Sequence, residues 1–147
     1  MDDLEVFKKQ LSLIDLERAF LTQDQVDCHL EHHFAGQTYV REMFMPADTI
    51  VIGKRHRYEG INILLQGRLS IYMGHDLPVK HIEAPAIFVS EQYRKKMLYS
   101  HTDVRFCNVH CITTQDLEKI EEDVIITEQE FDALTNAKNM EIEQCHG

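Results

Sequence analysis

The sequence predicts a mostly β domain with an α-helical addition at each end, and three observations carry that expectation. Apolar residues recur at helical spacing near both termini. The middle holds many short runs rich in Val, Ile, Tyr and Phe, punctuated by Gly and Pro. Charge divides along the same lines. Residues 1–34 hold 8 acids against 3 Lys/Arg, net −5; residues 35–113 hold 7 against 10, net +3; residues 114–147 hold 10 against 2, net −8. The 147 residues are expected to fold as one unit: an N-terminal helical arm over 1–34, a β-barrel over 35–113 and an acidic helical segment over 114–147.

In chain order, Leu4, Phe7, Leu11, Ile14 and Leu21 fall at spacings of three, four or seven with no Gly or Pro between them, which predicts a helix over 3–21. A second helix is expected over 22–34, capped by Thr22 and stopped before Gly36. Strands are expected over 38–45, 49–53, 61–65, 68–73, 79–83, 86–90, 96–100 and 104–113. Short strands at such close spacing predict a sandwich or barrel. After them, Thr113-Thr114-Gln115-Asp116 offers a helix cap, and Thr127-Glu128-Gln129-Glu130 is a capping box ahead of Phe131 and Leu134.

Composition narrows the function. The net charge of −10, the absence of Trp and the lack of a basic run interleaved with aromatics argue against a nucleic-acid polymer as partner. No apolar run approaches a membrane span, and the acidic start Met1-Asp2-Asp3-Leu4-Glu5 is unlike a signal peptide, so a cytoplasmic protein with no membrane partner is expected. Cys28, Cys107, Cys111 and Cys145 form no CxxC pair and are expected to stay reduced.

The most informative stretch runs Lys54-Arg55-His56-Arg57-Tyr58-Glu59-Gly60 into Ile61-Asn62-Ile63-Leu64-Leu65-Gln66-Gly67. Its spacing resembles the first motif of the cupin superfamily: Gly, five residues, His-x-His, three or four residues, Glu, six residues, Gly. On this chain Asp48 stands at the first Gly, Lys54 at the first His, His56 at the second, Gly60 at the Glu with Glu59 one residue early, and Gly67 at the last Gly. The second motif falls on Ala84, Ser90, Gln92, Lys95 and Tyr99 and matches none of its residues. The strings Tyr39-Val40-Arg41-Glu42, Pro46-Ala47-Asp48-Thr49, Gly67-Arg68-Leu69-Ser70 and Ala84-Pro85-Ala86-Ile87-Phe88 are also similar to small cupin-like proteins of tailed phages, which implies the cytoplasm of an infected host. The resemblance implies a single cupin-type jelly-roll barrel.

A cupin's metal rests on histidines and a carboxylate, and a protonated lysine at such a position cannot coordinate. No metal and no other cofactor is therefore expected, with His56 and Glu59 as the fallback ligands. Lys54 and Lys95 are expected to point into the barrel with His56, joined by Arg41 and His110, while Arg55 and Arg57 face outward by strand alternation. Cations at a concave site suit phosphate or carboxylate. The alternative is that these cations hold the acidic helices.

Two further clusters carry less. On a helix over 22–34, Cys28 would stand over His32 and His29 over His33, with no third ligand at a known offset. Cys107, Val109 and Cys111 would share one face of a strand, and Asn108 and His110 the other. The expected function is a homo-oligomer that binds or sequesters a small anionic, phosphate- or nucleotide-like ligand, with no catalytic residue assigned. The alternatives are a metal-independent isomerase or epimerase acting on a sugar or sugar phosphate, with His56 as base, and an assembly protein that oligomerises through its barrel.

Overall fold

A computed structural model describes the backbone of residues 3–146 and the side chains of residues 4–138, which leaves the thiol of Cys145 outside the described residues. Two helices, α1 (Asp3–Lys9) and α2 (Leu11–Phe20), precede nine strands: β1 (His29–Ala35), β2 (Thr38–Met45), β3 (Ile50–Ile52), β4 (Gly60–Gln66), β5 (Arg68–Tyr72), β6 (Lys80–Glu83), β7 (Ala86–Ser90), β8 (Met97–Ser100) and β9 (Val104–Cys111). Helices α3 (Leu117–Val124) and α4 (Glu128–His146) follow. All strand pairs are antiparallel, in two sheets ordered β1-β2-β9-β4-β7 and β3-β8-β5-β6. This is a jelly roll, as the sequence predicts, although its two sheets pack face to face and do not close into a continuous barrel.

Polarity changes in rows along the five-stranded sheet. One inward row, Met43–Phe106–Leu64–Ala86, packs with Met45, Leu69, Ile71, Leu98 and Val104 into the apolar core. The next, Arg41–Asn108–Asn62–Phe88, begins a polar region. Two backbone positions match the motif spacing. Asp48, at the first motif glycine, has φ 57°, a left-handed conformation that Asp tolerates better than most residues. It is held by Asp48 N–H donating to Ser100 O at 2.7 Å and by the Tyr99 hydroxyl donating to its carboxylate at 2.7 Å. Gly67 turns β4 into β5 at φ 93°, where a Cβ would lie 2.3 Å from Asp103 O.

Three expectations at the N-terminus change. The single helix over 3–21 is two, because Gln10 turns its fully buried amide inward. Its Nε2 donates to Lys95 O at 2.8 Å, and its Oε1 accepts from Lys95 N–H at 3.2 Å and from Arg55 Nη1 at 2.9 Å. Val6, Gln10 and Leu13, at spacings of four and three, form the buried stripe, while Leu11 and Leu21 of the expected stripe are exposed. The helix over 22–34 is absent: β1 pairs along its whole length with β2 through a turn at Gly36. His29, Glu31 and His33 therefore share one face of a strand with Leu30, His32 and Phe34 on the other, which replaces the pairing of Cys28 with His32 and of His29 with His33.

At the other end, the Asp116 carboxylate caps α3 by accepting from Glu118 N–H at 3.1 Å. Thr127 Oγ1 accepts from Glu130 N–H at 3.1 Å, and its hydroxyl donates to the Glu130 carboxylate at 3.1 Å, so the predicted capping residues meet. No helix among the described residues is long and apolar enough to cross a membrane.

Candidate anion site at the mouth of the jelly roll

The loop between β3 and β4 is not a strand, and its side chains do not alternate as expected. Lys54 is largely exposed, and its ammonium pairs with the Glu121 carboxylate of α3. The Arg55 side chain is 1% exposed and lies under the helices rather than facing solvent. It forms a two-pronged pair with Glu128 at 3.2 and 3.3 Å, and its guanidinium sits 4.0 Å from the Phe131 ring centroid. Arg57 reaches Glu130 at 3.1 Å. Lys95 is buried away from the mouth and is held by Glu17 at 2.8 Å and Glu128 at 3.5 Å. Lys54 and Lys95 thus do not enter the jelly roll. They do what the alternative reading expects, tying acidic helices to the basic sheets. Glu59 is exposed and lines a groove on the outer side of the sheet.

His56 does turn inward. Its ring meets that of His110, with centroids 5.4 Å apart and planes at 68°. His110, on the inward face of β9, stacks on Tyr39, whose hydroxyl meets His32 Nδ1 at 2.6 Å. Arg41 stands one step deeper, beside Asn108 in the β2–β9 register. A cavity of about 190 Å³ opens here, lined by His32, Tyr39, Arg41, His56, His110 and Glu121, among others. Helix α3 roofs it: Ile120 packs on Tyr39, Arg57 N–H donates to Val124 O at 2.7 Å, and Ile126 N–H donates to Arg55 O at 3.0 Å.

Behind the cavity lies a polar cluster that sequence reasoning did not assign. The Lys96 ammonium donates to Ser90 Oγ, Asn62 Nδ2 also reaches Ser90 Oγ, and Asn108 Nδ2 donates to Asn62 Oδ1 at 2.5 Å. The inward lysine is thus Lys96, one residue on from the aligned Lys95. Tyr93 takes φ 64° in the preceding loop, so strand alternation could not be carried back through it. Asn108 was signalled by sharing the strand face of His110.

Electrostatics follow from the crowding of basic groups. Burial, then His110, Arg41 and Lys96, push the His56 pKa down to about 3. Burial and Arg41 push His110 down to about 4. Burial and Lys80 lower Lys96 to about 8, against an opposing pull from Glu91. Both imidazoles are therefore neutral at pH 7. Among the described residues Arg41 forms no ion pair within 4 Å and no hydrogen bond, although it lies near enough to Glu121 to lower that carboxyl's pKa. An unpaired guanidinium and a lysine behind it thus stand beside two neutral imidazoles able to donate or accept, with the Glu121 carboxylate at the rim.

The outer side of the same sheet carries a larger apolar groove of about 890 Å³, between Ile61, Val89 and Val109 of the sheet and Ile120 and Val124 of α3. Beside it, Ile87 and Val89 of the edge strand β7 are 73% and 61% exposed.

Solved structures share this architecture. The chain is similar to an ectoine synthase from P. lautus (TM-score 0.54, 11% identity, covering 72% of this chain and 83% of that one). It is similar to a conserved protein with a double-stranded β-helix domain from Klebsiella pneumoniae subsp. pneumoniae MGH 78578 (0.52, 10%, 64% and 84%). A cupin superfamily protein from Desulfitobacterium hafniense DCB-2 gives 0.50, 8%, 61% and 82%. The fold is a cupin fold. Identities this low show the fold alone. No protein-family model matches the chain, and no curated protein matches it.

Proposed function

We propose that this cupin-fold protein binds a small anion, of the phosphate or carboxylate class, in the cavity under α3. The observation that carries the reading is Arg41, a guanidinium without an ion-pair partner among the described residues, lining a cavity whose other basic groups are the imidazoles of His32, His56 and His110. Arg41 supplies the charge and a planar donor fork, His56 and His110 supply hydrogen bonds, and the Lys96 field adds to both. A cavity of about 190 Å³ suits a phosphate or a small phosphorylated or carboxylated molecule better than a whole nucleotide. We extend the proposal to an infected host's cytoplasm solely on the resemblance of several sequence strings to tailed-phage cupin-like proteins. His56 next to a cationic group also supports the isomerase reading, with neutral His56 as base, and turnover of the bound anion would distinguish the two.

Thermal unfolding tests the site. Phosphate should raise the melting temperature above a chloride control at equal ionic strength, because a ligand that binds only the folded state stabilises it by about 2.7 kcal/mol at a hundred times its Kd. Arg41→Met and Lys96→Met should each remove that gain and leave the apo protein as stable as before or more so, since each relieves like-charge crowding. A gain that survives both substitutions, or its absence with phosphate and with simple carboxylates, defeats the proposal.

The exposed Ile87 and Val89 on an open sheet edge favour self-association as a property alongside binding. Light scattering at micromolar concentration should give at least twice the 17.2 kDa chain mass, and Val89→Lys should lower it. A monomer at that concentration removes this reading.

A further inference from the structure

The β1–β2 hairpin brings metal-ligating side chains together on the outer face of the sheet, on the opposite side from His56. Glu31 and Glu42 are directly paired in the antiparallel register, and His33 lies two residues along on the same face. The donor atoms of Glu31, His33 and Glu42 all lie within 4.8 Å of one another, and His33 Nε2 is 3.1 Å from Glu42 Oε1. His29 extends the row, its Nε2 3.4 Å from Glu31 Oε1. Two carboxylates facing each other across strands repel, and among the described residues only Glu42 is paired with an arginine, Arg105.

We propose that Glu31, His33 and Glu42 bind a first-row divalent transition metal of the Zn²⁺ class, with water completing the coordination. Donors about 2.0–2.2 Å from a common centre are at most about 4.4 Å apart, so the separations of up to 4.8 Å seen here close onto an ion with a small adjustment of the exposed Glu31 and His33 side chains. An imidazole in the set favours transition metals over Mg²⁺ or Ca²⁺. The orientation of Glu42 gives independent support. Arg105 takes only its Oε2, through Nε at 2.8 Å and Nη2 at 2.6 Å, and leaves Oε1 turned toward His33. A hydrogen-bonded outer partner that fixes a carboxylate while sparing one oxygen is what a metal-ligating Glu requires. The Glu42 side chain is 5% exposed and anchored, while Glu31 and His33 are about half exposed, so an ion can enter from solvent and keep water at an open position. The ion would clamp the edge strand β1 to β2.

Titration of EDTA-treated full-length protein with Zn²⁺ tests this, with Co²⁺ absorption reporting coordination. About one Zn²⁺ per chain is expected, with a raised melting temperature and a Co²⁺ spectrum distinct from the aquo ion. His33→Ala and Glu31→Gln, both at exposed positions where folding is not at risk, should each weaken Zn²⁺ by roughly tenfold or more, whereas His56→Ala should leave the affinity unchanged. The proposal is overturned by a Kd weaker than about 0.1 mM, or by binding that survives His33→Ala and Glu31→Gln. It is also overturned by loss on His56→Ala, which would move the metal to the mouth of the jelly roll and contradict the anion reading as well.

Discussion

Arg55→Ala should cost about 3–5 kcal/mol of folding stability, the largest single-residue effect expected outside the apolar core. The side chain is 1% exposed and joins three parts of the chain: Gln10 between α1 and α2, the Tyr93 carbonyl in the loop before β8, and Glu128 at the start of α4. Its guanidinium also lies against Phe131, which meets Phe7 edge-on at 4.8 Å between centroids. Truncation removes the side-chain donor to the Tyr93 carbonyl and one of the two donors to Gln10 Oε1, leaves a cavity beside Phe131, and leaves Glu128 to Lys95 alone. Arg55→Lys should recover little, because a point charge cannot reproduce the two-pronged pair and the flat contact with the ring. Urea unfolding is the measurement: the midpoint should fall with an unchanged slope. A loss under about 1 kcal/mol would show that the helices are held mainly by apolar contacts.

Acid should weaken the fold well before the carboxylates titrate. His56 and His110 have folded pKa values of about 3 and about 4, against an ordinary histidine value of 6.5. Between those limits the unfolded chain binds more protons than the folded one, so stability rises with pH and is lost as pH falls below about 6.5. The slope is about 1.4 kcal/mol per pH unit for each histidine, and their mutual repulsion makes them titrate as a pair. Between pH 7 and pH 5 the loss should reach roughly 2–4 kcal/mol, toward the lower figure because neither ring is fully buried. Glu121 and Glu130, held below their usual range by hydrogen bonds from Lys54 and Arg57, contribute stability that is lost only at lower pH, as the solution falls through the ordinary carboxylate range. The double variant His56→Asn/His110→Asn should flatten the profile between pH 5 and 7 and leave the lower arm in place. A wild-type profile already flat over that interval would show the imidazoles to be hydrated. On the proposed function, a bound anion favours the imidazolium forms, so phosphate binding should take up protons and tighten as pH falls from 7 toward 5.

The strands were legible where a turn residue bounded them. The predicted ranges 38–45 and 86–90 coincide with β2 and β7, since Gly36, Pro46 and Pro85 mark their limits. Residues 22–34 were misread because His29 to Phe34 satisfies both periods: i,i+4 repeats of histidine suit a helix, and strict alternation suits a strand. The choice was made by hydrogen bonds to β2, which lie outside the segment. That choice also decides the chemistry, since only the strand puts Glu31 and His33 beside Glu42.

Composition and local pattern by themselves determined the mostly β middle, the helical ends and the surplus of cations in the β segment. Each depends on a residue and its near neighbours. What tertiary structure decided was the destination of each cation. Lys54, Arg55, Arg57 and Lys95 were drawn to Glu121, Glu128, Glu130 and Glu17, acids that are remote in sequence and brought close by α2, α3 and α4. Arg41 and Lys96 were left inside with His56 and His110. A buried charge is costly unless paired, so helix docking satisfied the cations it could reach. The inward-facing ones kept an unbalanced positive field, and no pattern along the chain records which lysine of Lys95-Lys96 would be which.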